Sequence, residues 1–467
     1  MDRKFELDPY ALAVRHAPVL MLDVAEPFRP ERVGYAVLEH SDFSPTFPRR
    51  LMLEPPVRYV IEYAIWWDAD IGHLYELEHV WVYLNEAGEV VRVEASWHGE
   101  YREMRVDSSI PLEDGRPVLY VEPGKHALAP APSWLMERAS QTLRECTRLA
   151  GAGGIWLNPL YGFPSVKSPW ADRLARTYLR RRAFTPTWRF EKRFEISGDL
   201  LVPSRQLLGE IPRLLEAQLR TLERSIPEAE REVLIIAHRG ASREAPPNSL
   251  FALKRATEQG ADMVEVDVRV TADGVPVLVH DPEVCLGGQA AAVDRCPLLE
   301  IRADPEGGQI PTLGEALELA RTLGLGVYLD LKVREAVEPA ALAVQQAKML
   351  PFVIFGARDP EILHAVRRVL PWAYTAIMWE EVEQDPIALA QASGAAYVHP
   401  CWELREPHPE ERLTRSWVER VHAHRLGVIT WHEERPEALR KLWSAGVDGM
   451  MTDLPGLARS YLSHRDV

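Results

Sequence analysis

The chain has 467 residues, enough at roughly 150 per domain for two or three domains. With 46% hydrophobic and 26% charged residues it has ordinary globular usage, which excludes fibrous and globally disordered architectures. A net charge of −15, with no basic run beyond residues 180–182, excludes nucleic acid as an expected partner.

Residues 1–8 lack the apolar core of a signal peptide. No apolar run approaches the ~18–20 residues a transmembrane helix needs. Cys146, Cys285, Cys296 and Cys401 form no CxxC pair. That usage fits a reducing compartment, so the expectation is a cytoplasmic protein without a transmembrane segment.

Residues 1–130 carry short alternating runs and many aromatics, and predict an α+β or mostly β domain. The clearest element is a hairpin, 80–84 and 90–97 around a turn at 85–89. Alternation puts Val80, Val82 and Leu84 on one face with Val91, Val93, Ala95 and Trp97. Residues 131–230 predict a helical connecting segment. The leucines at 207, 208, 214, 215, 219 and 222 form a packing stripe.

From residue 231 to 467 the pattern becomes regular. Strands are predicted at 233–237, 263–268, 327–331, 352–355, 374–378, 396–398, 427–430 and 449–451, each followed by a helical segment. Eight such units predict a parallel (β/α)8 TIM barrel, an α/β fold, with 275–279 as a hairpin arm on the second strand.

In such a barrel the carboxyl ends of the strands face the active-site mouth. Strand one runs into His238-Arg239-Gly240, and strand two carries Glu265 and Asp267, with His280-Asp281 ending its arm. Strand three ends in Asp330 and Lys332, strand six in His399 to Trp402, strand seven in Trp431, and strand eight in Thr452-Asp453. Residues two apart on a strand point the same way, so Glu265, Asp267 and Asp330 converge on one rim. Such carboxylates repel unless a hard cation, Mg2+ or Ca2+, joins them, or unless Arg239 and Lys332 suffice as partners. Two imidazoles, His238 and His280, beside a cation and an anion pocket suit acid–base cleavage of a phosphodiester.

The motifs His238-Arg239-Gly240-Ala241-Ser242, Asn248-Ser249-Leu250, Glu265-Val266-Asp267-Val268, Asp273-Gly274-Val275-Pro276-Val277, His280-Asp281, Ile310-Pro311-Thr312-Leu313 and Gly446-Val447-Asp448-Gly449 resemble those of glycerophosphodiester phosphodiesterases. The resemblance covers about residues 232–462. It implies a phosphoric diester hydrolase of lipid metabolism that uses a divalent cation. A small-molecule glycerophosphodiester would be split to glycerol 3-phosphate and an alcohol. By the same resemblance the acid–base pair falls on His238 and His280, the metal carboxylates on Glu265, Asp267 and Asp330, and the phosphate contacts on Arg239 and Lys332. A phospholipase D-like or cyclising cleavage, and a non-catalytic phosphate-binding scaffold, are the alternatives.

Three positions depart from the family pattern. Pro246-Pro247-Asn248 replaces Pro-Glu-Asn, Asp330 replaces a glutamate, and Trp431-His432-Glu433-Glu434 replaces Trp-Thr-Val-Asn. Glu244, Glu433 and Glu434 are the acidic residues that could stand in for the missing glutamate. In the N-terminal domain, residues 72–78 are faintly similar to the Gly-His-Arg-His-Asp-Trp-Glu heptad of necrosis-inducing-like proteins. His73 and Glu78 are the residues there that could form a second site.

Overall fold

Apolar residues at alternate positions of eight short segments build a parallel sheet that closes on itself. In the computed structural model, which describes residues 8–156, 166–304 and 310–463, the strands are β1 (Leu234–Ala237), β2 (Met263–Val270), β3 (Gly326–Leu331), β4 (Val353–Ala357), β5 (Tyr374–Trp379), β6 (Tyr397–Pro400), β7 (Gly427–His432) and β8 (Gly449–Thr452). Sequence neighbours pair in parallel, and β1 pairs with both β2 and β8 to close the barrel. Helices follow the strands, from Leu250–Glu258 after β1 to Pro455–Ser463 after β8. The helix Leu313–Leu323 begins on a capping box between Thr312 and Glu315 and ends at left-handed Gly324, so both ends have their backbone groups satisfied.

The two faces of each strand have separate destinations. Ile235 and Ala237 of β1, Val264 and Val266 of β2, and Val327 and Leu329 of β3 pack outward beneath the helices. Leu234, Ile236, Met263 and Tyr328 fill the barrel axis with Met378, Tyr397 and Met451. Each fully buried Val, Leu or Met contributes about 1.5–3 kcal/mol, so these layers dominate the barrel's stability. Continuing the inward rows toward the carboxyl ends gives His238, Glu265, Asp267, Asp330, Lys332, His399 and Asp453. The sequence pattern that packs the core also aims the polar residues at the mouth.

The arm predicted at 275–279 is the strand Pro276–Leu278, antiparallel to β2. A further hairpin, Glu283–Leu286 with Gln289–Ala292, follows it and was not foreseen. The expectation that strand seven points Trp431 at the mouth is corrected. The β7–β8 register shifts between Thr430 and His432. This irregularity leaves Trp431 in the outer layer with Trp402 and turns His432 toward the rim instead.

Contact within the chain divides it into two compact units, residues 1–167 with 174–226, and residues 168–173 with 227–467. The first unit is mostly β. Its larger sheet runs from Leu201–Pro203 through Pro30–Leu38, Tyr59–Ala69, His73–Leu84 and Val90–Trp97 to Glu100–Glu103. The predicted hairpin is its centre, with Val80 opposite Ala95 and Val82 opposite Val93. Two details differ from the alternation argument. Trp81 and Tyr83 are as buried as Val80 and Val82, so the strand is covered on both faces. A register shift between Tyr83 and Leu84 also turns Val91 onto the Trp81 side.

Within residues 131–230 the strands Lys192–Glu195 and Leu201–Pro203 pair into the sheets of the first unit. The helix Ser204–Ser225 buries Leu207, Ile211, Leu215, Leu219 and Leu222. A Cβ on Gly34 would stand 2.9 Å from Leu207, so glycine is what lets the helix lie on that strand. No helix among the described residues is long and apolar enough to cross a membrane.

Candidate active site

β1 delivers His238 and then turns sharply. Arg239 takes a left-handed φ of 57°, and Gly240 follows at 84° against the backbone of Ala252, where a Cβ would clash. The turn aims the Arg239 backbone N–H at Glu265 Oε2, 2.9 Å away, while the guanidinium Nε lies 2.9 Å from Asp267 Oδ2. Asn248 also sits left-handed, at 59°, a conformation asparagine tolerates better than most residues. Its amide donates to Asp267 Oδ2 at 2.8 Å, and its carbonyl accepts the Asp267 N–H at 3.1 Å.

Glu265, Asp267 and Asp330 each offer an oxygen within 4.8 Å of the others. Lys332 pairs with Asp267 Oδ1 at 2.7 Å and also with Asp330. The charges are unevenly distributed. Burial would raise Asp267, but Lys332, Arg239 and Asn248 hold it below the usual carboxylate range. Asp330 is raised by burial even though Lys332 opposes the shift. Glu265 is pushed well above the usual value by burial and by the charges of Asp267 and Asp330. It has no ammonium or guanidinium within pairing distance among the described residues. A hard divalent cation would supply what this all-oxygen set lacks, so the residues present fit one.

His238 Nδ1 donates to Asp453 Oδ1 at 2.8 Å, and Ser242 Oγ donates to the same oxygen at 2.8 Å. Burial would raise the Asp453 carboxyl, yet these two donors pull it down to about 2. The carboxylate therefore fixes the His238 tautomer and leaves Nε2 bare, 4.0 Å from Glu265 Oε2. His432 stacks on the His238 ring, with centroids 4.7 Å apart and planes at 6°. Glu434 Oε1 accepts the Asp453 N–H at 2.9 Å. Below them the Tyr328 hydroxyl meets His399 Nδ1 at 2.9 Å, and burial followed by the nearby Arg358 lowers His399 to about 3.

Six of the seven sequence-predicted residues, His238, Arg239, Glu265, Asp267, Asp330 and Lys332, thus form one contiguous cluster. His280 is placed differently. The preceding Val279 N–H bonds the Asp267 carbonyl at 3.1 Å, which ties the arm to the rim. The His280 ring is 46% exposed and bonds Asp281 at 2.8 Å. Among the described residues no hydrogen bond or ion pair links it to the other six.

Of the three acids that could replace the missing glutamate, Glu244 is held at the exposed surface by Arg255. Glu433 is buried against Arg435, so only Glu434 reaches the His238 network. Asn248, Asp453, Ser242 and His432 were missed as site members. Continuing the inward row of β8 past Met451 would have found Asp453.

Residues 238–457 match the model of the glycerophosphoryl diester phosphodiesterase family. The match lies within the barrel, which is similar to that family. A glycerophosphodiester phosphodiesterase of Caldanaerobacter subterraneus subsp. tengcongensis is 28% identical over 240 residues, spanning 48% of this chain and 95% of that protein. A probable glycerophosphodiester phosphodiesterase 2 of Mycobacterium tuberculosis is 29% identical over 251 residues, 50% of this chain and 91% of that one. Among solved structures, a putative glycerophosphoryl diester phosphodiesterase from Silicibacter pomeroyi is 25% identical, with a TM-score of 0.44 over 49% of this chain and 92% of its own. The family match and the curated relatives support a phosphoric diester hydrolase. These comparisons lend nothing to the heptad likeness in the first unit.

Proposed function

We propose that the barrel hydrolyses a glycerophosphodiester to glycerol 3-phosphate and an alcohol, with a divalent cation and a two-histidine acid–base mechanism. The observation that carries this reading is the juxtaposition of three carboxylates with a carboxylate-oriented imidazole on one rim. Glu265, Asp267 and Asp330 would hold Mg2+ or Ca2+, which when bound supplies positive charge to the phosphoryl oxygens. Arg239 and Lys332 hold the substrate phosphate and release part of their present pairing with Asp267 and Asp330 to do so. His238 takes the proton of the attacking water on Nε2, and Asp453 stabilises the imidazolium that forms. His280, on its exposed arm, protonates the leaving alkoxide. A small-molecule diester in a reducing, cytoplasmic setting goes with this reading, and the four cysteines are free.

The experiment is a phosphorus NMR time course on glycerophosphodiesters with added Mg2+ or Ca2+, before and after exhaustive chelation. Glycerol 3-phosphate should appear only with the cation. A cyclic phosphate product would replace hydrolysis by internal attack of a neighbouring hydroxyl. Inertness with every head group and cation would leave a phosphate-binding scaffold.

A further inference from the structure

The first unit contains a second group of ligating side chains that the barrel chemistry does not use. The antiparallel pair Tyr59–Ala69 and His73–Leu84 matches Ala69 with Leu74 and Trp67 with Glu76, and Tyr75 between them takes a left-handed φ of 51°. On a regular strand residues three apart face opposite sides. The irregularity at Tyr75 brings His73 and Glu76 to one side, where they meet Asp70 from the connecting turn. The three offer ligand atoms within 4.8 Å of one another. Glu78, the other acid singled out from the sequence here, instead accepts the Ser96 hydroxyl.

The orientation of His73 points to an occupant. Its Nδ1 lies 2.9 Å from the Tyr75 carbonyl oxygen. A carbonyl can only accept, so Nδ1 carries the hydrogen and a neutral ring has its lone pair on Nε2. That nitrogen faces Glu76 Oε2 at 3.7 Å and Asp70 Oδ1 at 4.0 Å. A lone pair aimed at two carboxylates is repulsive, and both separations are too long for hydrogen bonds from an imidazolium. They are close to the span between ligands of one ion, since two atoms each about 2.1 Å from a tetrahedral cation stand about 3.4 Å apart. Trp156 stacks on the ring at 5.5 Å and holds its plane. Lys125 pairs with the other oxygen, Oδ2, of Asp70, and the Gly72 N–H donates to Oδ1, which keeps a further lone pair for the His73 side. A histidine whose second nitrogen is anchored on a backbone carbonyl, as here, is the usual arrangement of a metal ligand.

We propose that Asp70, His73 and Glu76 form a second cation site, for a divalent transition ion such as Zn2+. One imidazole with two carboxylates favours such an ion over Mg2+ or Ca2+, and water would complete the coordination. The site lies wholly within the first unit and does not depend on the barrel's reaction.

The test counts metal on the full-length protein equilibrated with Zn2+ and then desalted, in the wild type, in His73→Gln and in Glu76→Gln. Either substitution should remove one equivalent, whatever number the barrel retains, and should leave phosphodiesterase turnover unchanged. With Co2+ in place of Zn2+, the wild type should show visible absorption from an imidazole-bound ion, and His73→Gln should lose it. Circular dichroism confirms that each variant is folded. Should one variant unfold, the other together with the wild-type Co2+ spectrum decides the question. Equal metal content in wild type and a folded variant, or a Co2+ spectrum indifferent to His73, would overturn the proposal and leave an imidazolium between two acids.

Discussion

Replacing Asp453 by asparagine keeps the side chain's size and removes its charge. Because Asp453 touches the His238 ring and no carboxylate of the cation cluster, Asp453→Asn should cut turnover by about a hundredfold or more while leaving cation affinity intact. Isothermal titration alongside steady-state rates separates the two, and a parallel loss of cation binding would contradict the assignment. Glu265→Gln should do the reverse, weakening the cation first and turnover with it, because Glu265 is the cluster acid without a cationic partner. The histidine pair predicts a bell-shaped pH–rate profile for the wild type, since one imidazole must be neutral and the other protonated. His280→Ala should flatten one limb and lower the rate by about a hundredfold. At this scale the sequence was readable where two functional residues share a strand. Glu265 with Asp267, and Asp330 with Lys332, follow from period-two alternation alone. Asp453 was visible at the end of β8, but its role required knowing that β8 lies beside β1 and brings it to a histidine 215 residues away.

The turns and strand ends decide how well those residues are held. Pro247 is exposed on the loop after β1, immediately before the buried Asn248 that positions Asp267. Pro247→Glu should therefore leave the thermal midpoint nearly unchanged, as exposed loop substitutions usually do. It should raise cation affinity, read by titration, because it adds a carboxylate beside the cluster. Unaltered affinity would show that the loop aims position 247 away from the cation. At the opposite end of the barrel, before β8, Asp448 accepts both His422 Nε2 at 2.8 Å and the Val428 N–H at 2.7 Å. Burial would lower His422, but the Asp448 carboxylate raises it above 6.5. A raised histidine contributes stability that is fully present below the unfolded value and is lost as pH rises through the folded value. Urea midpoints should consequently fall as pH rises above the ordinary histidine range, and His422→Gln should remove that part of the fall. The bulge in β7 was illegible beforehand. Nothing in the local composition of 427–432 distinguishes a regular strand from one that slips at Trp431, and the slip decides that His432, not Trp431, covers His238.

At the scale of the whole molecule, the barrel holds three acids that repel one another and gain nothing from each other in the folded state. Any cation that binds only the native cluster must stabilise the fold by mass action. Adding Mg2+ or Ca2+ should raise the barrel's unfolding temperature, chelation should reverse the rise, and Glu265→Gln should abolish it. A shift that survives Glu265→Gln would assign the effect to another site. The sequence by itself determined the order and kind of elements from residue 231 onward. It also determined which side chains of each regular strand share a face, because strand alternation and helix periodicity are written into neighbouring positions. It further determined the acidic and basic types present at each strand end. Only the tertiary structure decided which of those ends touch. Closure of β1 on β8 joins His238 to Asp453, left-handed Asn248 meets Asp267 across a turn, and the irregularity at Tyr75 gathers Asp70, His73 and Glu76. The physical reason is that periodicity sets the direction of a side chain relative to its own strand. Distance between strands depends on closure, register and bulges, which are settled by the packing of the entire core.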